Sequence, residues 1–330
     1  MILTPLHTRM ISLRLLWGDA GSVVAEGRIF DLRKRGIVPL AGKLQGPGVV
    51  HDMAARVELD YPALRVRSIQ PSMSAFPFAA GPATRGEGCP DRLGDVQRLV
   101  GASLREQYGS TLMNAVGGAR GCFHVFTLLR LLGPTIEWAV DRERARRATY
   151  GAPGSPLFAR SMIVDGMKGD GLSLVLRGML SDLHYPPGAD ALPLEEEMEE
   201  AFEATVDVET QIPSMAVLVA SGRVRRSGPG ISAVGQWEPA PRVDDLVGCV
   251  MLKGYTASVQ ALFAATTGLD PLQHLLFMLA PTLMQCMPSL AEELEMRPRR
   301  AESPHAAVDS CHMWRADGPL VAAPPWPPAR

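Results

Sequence analysis

Two stretches of this chain align without a gap, 96–135 onto 243–282, and that repeat constrains the fold more than any other feature. Val96, Leu99, Val100, Gly101, Tyr108, Gly121, Leu128, Leu129, Leu132, Pro134 and Thr135 match Val243, Leu246, Val247, Gly248, Tyr255, Gly268, Leu275, Leu276, Leu279, Pro281 and Thr282. Upstream, Gly27 and Asp31-Leu32 answer Gly178 and Asp182-Leu183, and the alternation Ala55, Val57, Leu59 answers Ala204, Val206, Val208. The expected fold is α+β. It consists of two homologous units, each of antiparallel strands followed by helices, packed with pseudo-twofold symmetry as in a homodimer. The first unit spans 1–148 and the second, degenerate copy spans 149–295. A tail over 296–330, rich in Pro and Arg, is expected to be partly docked through Cys311, His312 and Trp314.

Within the first unit, period-two patterns predict strands over 9–16, 22–33, 51–60 and 63–70. A short helix, Gly101 and a second helix fill 95–116. Gly117, Gly118 and Gly121 suit a tight bend, since glycine accepts positive φ at little cost. Val125, Leu129, Leu132, Ile136 and Val140 then recur at helical spacing. Gly133-Pro134 inside that run predicts a kink or break. Residues 269–291 are the most apolar part of the chain, but Asp270, Gln273, His274 and Gln285 interrupt them, so a buried helical hairpin is expected rather than a membrane span.

The bend delivers Cys122 and His124 to a helix start, where unpaired N–H groups and the helix dipole favour a thiolate or an anion. His51-Asp52 sits at the mouth of a strand. The aligned positions of the second copy carry Leu269 for Cys122 and Pro271 for His124, and nothing near Glu199-Glu200 resembles His51-Asp52. The polar constellation therefore belongs to the first copy. His51, Asp52, Cys122 and His124 are the candidate catalytic residues. The two histidines would move protons near neutrality; in the alternative, Cys122 would be a nucleophile. Arg9, Phe123 and Trp314 are candidates for binding substrate. His51, His124 and Cys311 are ligand types for a divalent metal, although no established ligand spacing is present.

Composition narrows the classes. With 33 Lys and Arg against 35 Asp and Glu, the net charge of −2 gives no basic field for nucleic acid. The five cysteines, at 89, 122, 249, 286 and 311, form no disulfide framework, which points to a reducing cytoplasm. No signal segment is read at the N-terminus. Arginine far outnumbers lysine, a bias of GC-rich bacterial genes. There is no phosphate loop, dinucleotide fingerprint or nucleophile elbow, so no nucleotide cofactor is expected. The partner would be a small molecule, and the chain a monomer or homodimer.

The first half resembles a bacterial family known only as a domain of unknown function, number 2889. The resemblance rests on His7-Thr8-Arg9, Glu26-Gly27 with Asp31, Gly48 leading into His51-Asp52-Met53, and Arg56 to Asp60. Cys89-Pro90, Leu99-Val100-Gly101, Gly121-Cys122-Phe123-His124 and, more loosely, Cys311 to Trp314 complete it. Phe123 and Val125 depart from the family's usual Thr and Leu. The resemblance implies a partner in bacterial catabolism of aromatic or acyl compounds. Together with the residues, it gives as first expectation a cytoplasmic enzyme of acid/base, lyase type acting on an apolar small molecule. The alternatives are a divalent-metal enzyme and a ligand-binding protein without catalysis.

Overall fold

The computed structural model describes residues 2–321 apart from 20, 37, 41–42, 147–150, 194–195, 230–232, 253, 267–269 and 291–307. The expected linker around 149 and the expected disorder in 296–307 and 322–330 lie wholly or partly outside the described residues.

Eleven strands are present among the described residues. They are β1 (Thr4–Trp17), β2 (Ser22–Arg33), β3 (Val38–Leu40), β4 (Lys43–Gln45), β5 (Gly48–Asp60), β6 (Val66–Ala75), β7 (Pro156–Lys168), β8 (Ser173–His184), β9 (Glu200–Gln211), β10 (Ala216–Ser227) and β11 (Glu238–Pro239). Nine form one antiparallel sheet in the order β11-β10-β9-β8-β7-β1-β2-β5-β6, and β3 and β4 make a separate hairpin. Four α-helices accompany them: α1 (Tyr108–Val116), α2 (Phe123–Arg146), α3 (Tyr255–Leu262) and α4 (Pro271–Cys286). The same order of elements is met twice, four long strands and then two helices, and β1 pairs with β7 at the join.

Alternation decides which face is covered. Ile11, Leu13, Leu15 and Trp17 of β1, Val23, Ala25 and Ile29 of β2, and Met53, Ala55, Val57 and Leu59 of β5 all point to the helices and are buried. The opposite face is solvated and carries cross-strand ion pairs such as Arg28–Asp52, Arg56–Glu26 and Arg177–Asp207. An antiparallel sheet tolerates this division, which an all-parallel one rarely does.

Helix and sheet approach most closely at glycines. A Cβ on Gly27 would come within 2.7 Å of Leu132 and 3.1 Å of Leu128. A Cβ on Gly178 would meet Leu275 at 3.1 Å. In the register, Gly27 faces Ala55 and Gly178 faces Val206. Counted from these two glycines, Ala55 is level with Val206, whereas the sequence match set it against Ala204. By the same register Asp31 faces His51 and Asp182 faces Phe202.

Three further expectations are corrected. Helix α2 runs unbroken through Pro134. Residues 271–286 form one helix followed by a short 3₁₀ turn (Met287–Leu290), not a hairpin. Of the three bend glycines, Gly118 alone takes positive φ, at 56°.

His184, at the end of β8, is buried against Trp138 and Phe158. Burial, aided by the Arg142 charge, pushes its pKa down to about 3. The unfolded chain takes up a proton near pH 6.5 that the folded chain refuses. This contribution to stability is complete above pH 6.5 and is lost as pH falls from there toward 3. By pH 5 the loss is ~2 kcal/mol. Denaturation at pH 7 and pH 5 should show a smaller difference for His184→Phe than for the parent. An equal difference would mean that His184 is protonated in the folded state.

Candidate metal centre

The site lies at the end of the sheet where the inward face changes from apolar to polar. Beyond Ile11, Ile29 and Met53, the next inward positions are Arg9 and His7 on β1, Asp31 and Arg33 on β2, and His51 on β5. Cross-strand register sets Arg9 opposite Asp31, His7 opposite Arg33, and Asp31 opposite His51. A register shift follows directly after Asp31, as bulges often do where a side chain must be re-aimed. The N-terminus of α2 brings His124 down onto this group.

Asp31 is fully buried and stands at the centre. Arg9 grips it in a fork, with Nε donating to Oδ1 at 2.8 Å and an Nη donating to Oδ2 at 2.9 Å. His7 Nε2 lies 2.9 Å from Oδ1. His51 Nδ1 lies 3.1 Å and His124 Nε2 3.4 Å from Oδ2. The two imidazoles stack with centroids 3.6 Å apart. One ligand-type atom from each of Asp31, His51 and His124 falls within 4.8 Å of the others. His51 Nδ1 and His124 Nε2 are buried without a well-formed hydrogen bond among the described residues.

The protonation states are those of metal ligands. Burial pushes the Asp31 carboxyl up, but the Arg9 charge and the bonds from His51, His7 and Arg9 outweigh it and hold the carboxyl well below its usual range. Burial lowers the pKa of His7 and His51, and lowers that of His124 further, helped by His51 and Arg9. The cluster therefore offers one ionised carboxylate and imidazoles with free lone pairs, the forms in which these groups bind metals.

The structure brings together His51, His124 and Arg9 from the sequence-derived set. It sets Asp52 on the other face of the sheet, where Arg28 holds it at 2.6 and 2.8 Å. Consecutive strand residues point oppositely, so His51 and Asp52 cannot share one side. Cys122 packs in the core with its sulfur 3.8 Å from Met53 Sδ. Burial outweighs the helix N-terminus there and pushes the thiol up to about 11, so it stays protonated and is a poor nucleophile. Phe123 stands edge-on to His124 at 5.9 Å. Cys311 belongs to the docked segment 308–321 and lies outside the Asp31, His51 and His124 group. Trp314 packs on a small cluster of Phe78, Cys89, Met313 and Leu320, away from the ligand group. That segment is anchored by His312, whose backbone N–H donates to the Gly121 carbonyl at 2.9 Å and whose Nε2 lies 3.0 Å from the Gly88 carbonyl.

Sequence reasoning missed His7 and Asp31 as parts of the site. The signal was present in the spacing. His7 and Arg9, like Asp31 and Arg33, stand two apart on strands whose other inward residues are apolar.

Gly121 serves the site by close approach. A Cβ there would fall 2.4 Å from the Val116 carbonyl oxygen and 2.9 Å from Val116 Cα, which are backbone atoms that cannot swing aside. Gly121→Val should cost ~3 kcal/mol or more by overpacking, and His124→Ala much less. Equal losses of thermal stability in the two variants would make His124 a structural residue.

An α+β chain with one helix-covered antiparallel sheet and a buried Asp–His–His group is the class that fold and site define. Within it, residues 7–137 match the family described as "Protein of unknown function (DUF2889)", and this first part of the chain carries His7, Arg9, Asp31, His51 and His124. No curated protein and no solved structure matches the chain. No helix among the described residues is long and apolar enough to cross a membrane.

Proposed function

We propose that this chain is a divalent-metal-dependent enzyme, with Asp31, His51 and His124 as ligands, acting on a small apolar molecule of aromatic or acyl type. The observation that carries the reading is the convergence of these three groups within 4.8 Å, with two buried imidazole nitrogens left over for an ion. Two imidazoles and one carboxylate leave coordination positions open, as in mononuclear iron, zinc and manganese sites. A bound ion would polarise a carbonyl or acidify a water. Arg9 and His7 hold the carboxylate in place, the task of outer partners around a metal. Phe123 lies beside His124 and offers an apolar wall.

The metal-free acid/base reading, the first expectation from the sequence, becomes the second. The 3.1 Å contact of His51 Nδ1 with Asp31 favours it, because a carboxylate so placed orients an imidazole for proton transfer and lyase chemistry. Mass spectrometry of untagged protein separates the two. About one equivalent of zinc, iron or manganese supports the metal reading. Its absence, both as purified and after reconstitution, overturns that reading and leaves proton transfer by His51 and His124.

The proposal extends to the architecture. The two runs of strands and helices are read as copies of one unit about a pseudo-twofold axis at the β1–β7 pair. Each copy keeps a buried, forked Arg–Asp pair, Arg9–Asp31 and Arg160–Asp182. Register and alignment put Phe158, Phe202 and Pro271 where the first copy has His7, His51 and His124. On this reading the Arg–Asp pair is inherited scaffold and the histidines are the acquired chemistry. A cytoplasmic location and a monomeric or homodimeric state belong to the same proposal.

A further inference from the structure

The two Arg–Asp pairs differ in what happens on the far side of the guanidinium. Arg160 uses Nε and one Nη for Asp182 and gives its other Nη to Thr135 Oγ1 at 2.9 Å and His274 Nδ1 at 3.0 Å. Every edge of that guanidinium is engaged. Arg9 binds Asp31 with the same two edges, but its remaining Nη has no partner among the described residues, although the side chain is buried. The positions that satisfy Arg160 correspond to Thr282 on α4 and Thr127 on α2. Thr282 Oγ1 donates to the Met278 carbonyl at 2.8 Å, as Thr135 Oγ1 does to the Leu131 carbonyl, but unlike Thr135 it accepts no bond from the arginine of its pair. Thr127 stands where the second copy has His274.

A second orphan lies beside it. Arg33, inward on β2 and 3 % exposed, gives one Nη to the Gln45 carbonyl at 3.1 Å but has a buried Nε without a partner among the described residues. The second copy places His184 at the equivalent position. At this end of the sheet two buried guanidinium groups, Arg9 and Arg33, thus share one inward strand carboxylate, Asp31, whereas Arg160 and Asp182 balance one against one. Guanidinium groups keep their charge at any working pH. Buried donors and buried charge left unmatched are costly, and they persist where a ligand supplies the missing partner.

We propose that an oxyanion, specifically a carboxylate, accepts from the free Nη of Arg9, with Arg33 supplying the second positive charge. This deepens the reading of the Asp31 site by naming its substrate class: an apolar acid rather than a neutral aromatic or acyl compound. The carboxylate would lie beside the proposed ion without depending on it, because the excess of guanidinium over carboxylate is present in the chain alone.

The probes are benzoate, acetate and the neutral benzamide, titrated calorimetrically into full-length protein in two states, chelator-treated and manganese-loaded. Chelator-treated protein is expected to bind benzoate at least tenfold more tightly than benzamide. Thr127→His gives Arg9 the partner that His274 gives Arg160, and should weaken benzoate at least tenfold with the metal content unchanged. If that variant unfolds, the benzoate-to-benzamide ratio of the parent decides alone. Equal binding of benzoate and benzamide, or no binding of either benzoate or acetate, overturns the proposal, since a buried water then suffices for Arg9. Metal content reports separately on the Asp31 reading. A chain that holds metal but ignores carboxylates refutes this inference alone, and one that binds benzoate without ever holding metal refutes the other.

Discussion

A His51→Ala/His124→Ala double variant is expected to hold less than a tenth of the metal carried by the parent chain while still unfolding cooperatively. Two of the three ligands are removed, and the survivor, Asp31, is already gripped by Arg9 on both oxygens. Changes in the outer partners of a metal commonly cost ~10–100-fold in affinity, and loss of the ligands themselves exceeds that. Chelation supplies the second readout. An ion bound at about 100 times its Kd stabilises the folded state by ~2.7 kcal/mol, so the parent should melt lower after chelation and the double variant should not respond. A parent insensitive to chelation, or a double variant that keeps its metal, would remove Asp31, His51 and His124 from any metal role.

The second large effect is expected far from the chemistry. Asp182→Leu leaves Arg160 buried and charged beside Phe158 and Trp138 without its carboxylate. Breaking a buried ion pair from one side typically costs ~3–5 kcal/mol, whereas replacing both partners by apolar groups of similar volume is often nearly neutral. Arg160→Met/Asp182→Leu should therefore recover most of what Asp182→Leu loses, and both variants should keep the parent's metal content. A loss below ~1 kcal/mol for Asp182→Leu, read from the denaturation midpoint, would show that the pair is not the scaffold element inferred here.

Much of this was legible in the residues. The runs around β2, β5 and α2 follow from their periods, and the gapless match of 96–135 with 243–282 anticipated that strands and helices would be met twice. Other features were not legible, for physical reasons. β1 begins at Thr4 rather than 9 because its first inward residues, His7 and Arg9, are polar and look like surface until their buried partner is known. The spacing of Asp31 and Arg33 marks a polar inward end of β2 but not a site, since the partners of Asp31 come from β1, β5 and α2. Alternation cannot by itself fix which residue of one strand matches which of another, because it has period two and a slide of two residues returns every side chain to the same face. Asp52 was drawn into the site by adjacency to His51, although adjacent positions on a strand are the ones certain to part.

The join between β1 and β7 carries a consequence of its own. These two strands pair over almost their whole length, from Thr4 opposite Lys168 to Leu16 opposite Pro156, and they sit mid-sheet with their neighbours on either side. Severing the chain near 150 would not release two finished bodies. Each fragment would bear a long naked edge of unpaired backbone, ready to recruit whichever strand fits. The fragments' best mate is the one they were cut from, and the next best is a copy of themselves. The chain is thus its own obligate partner, with the tether standing in for concentration.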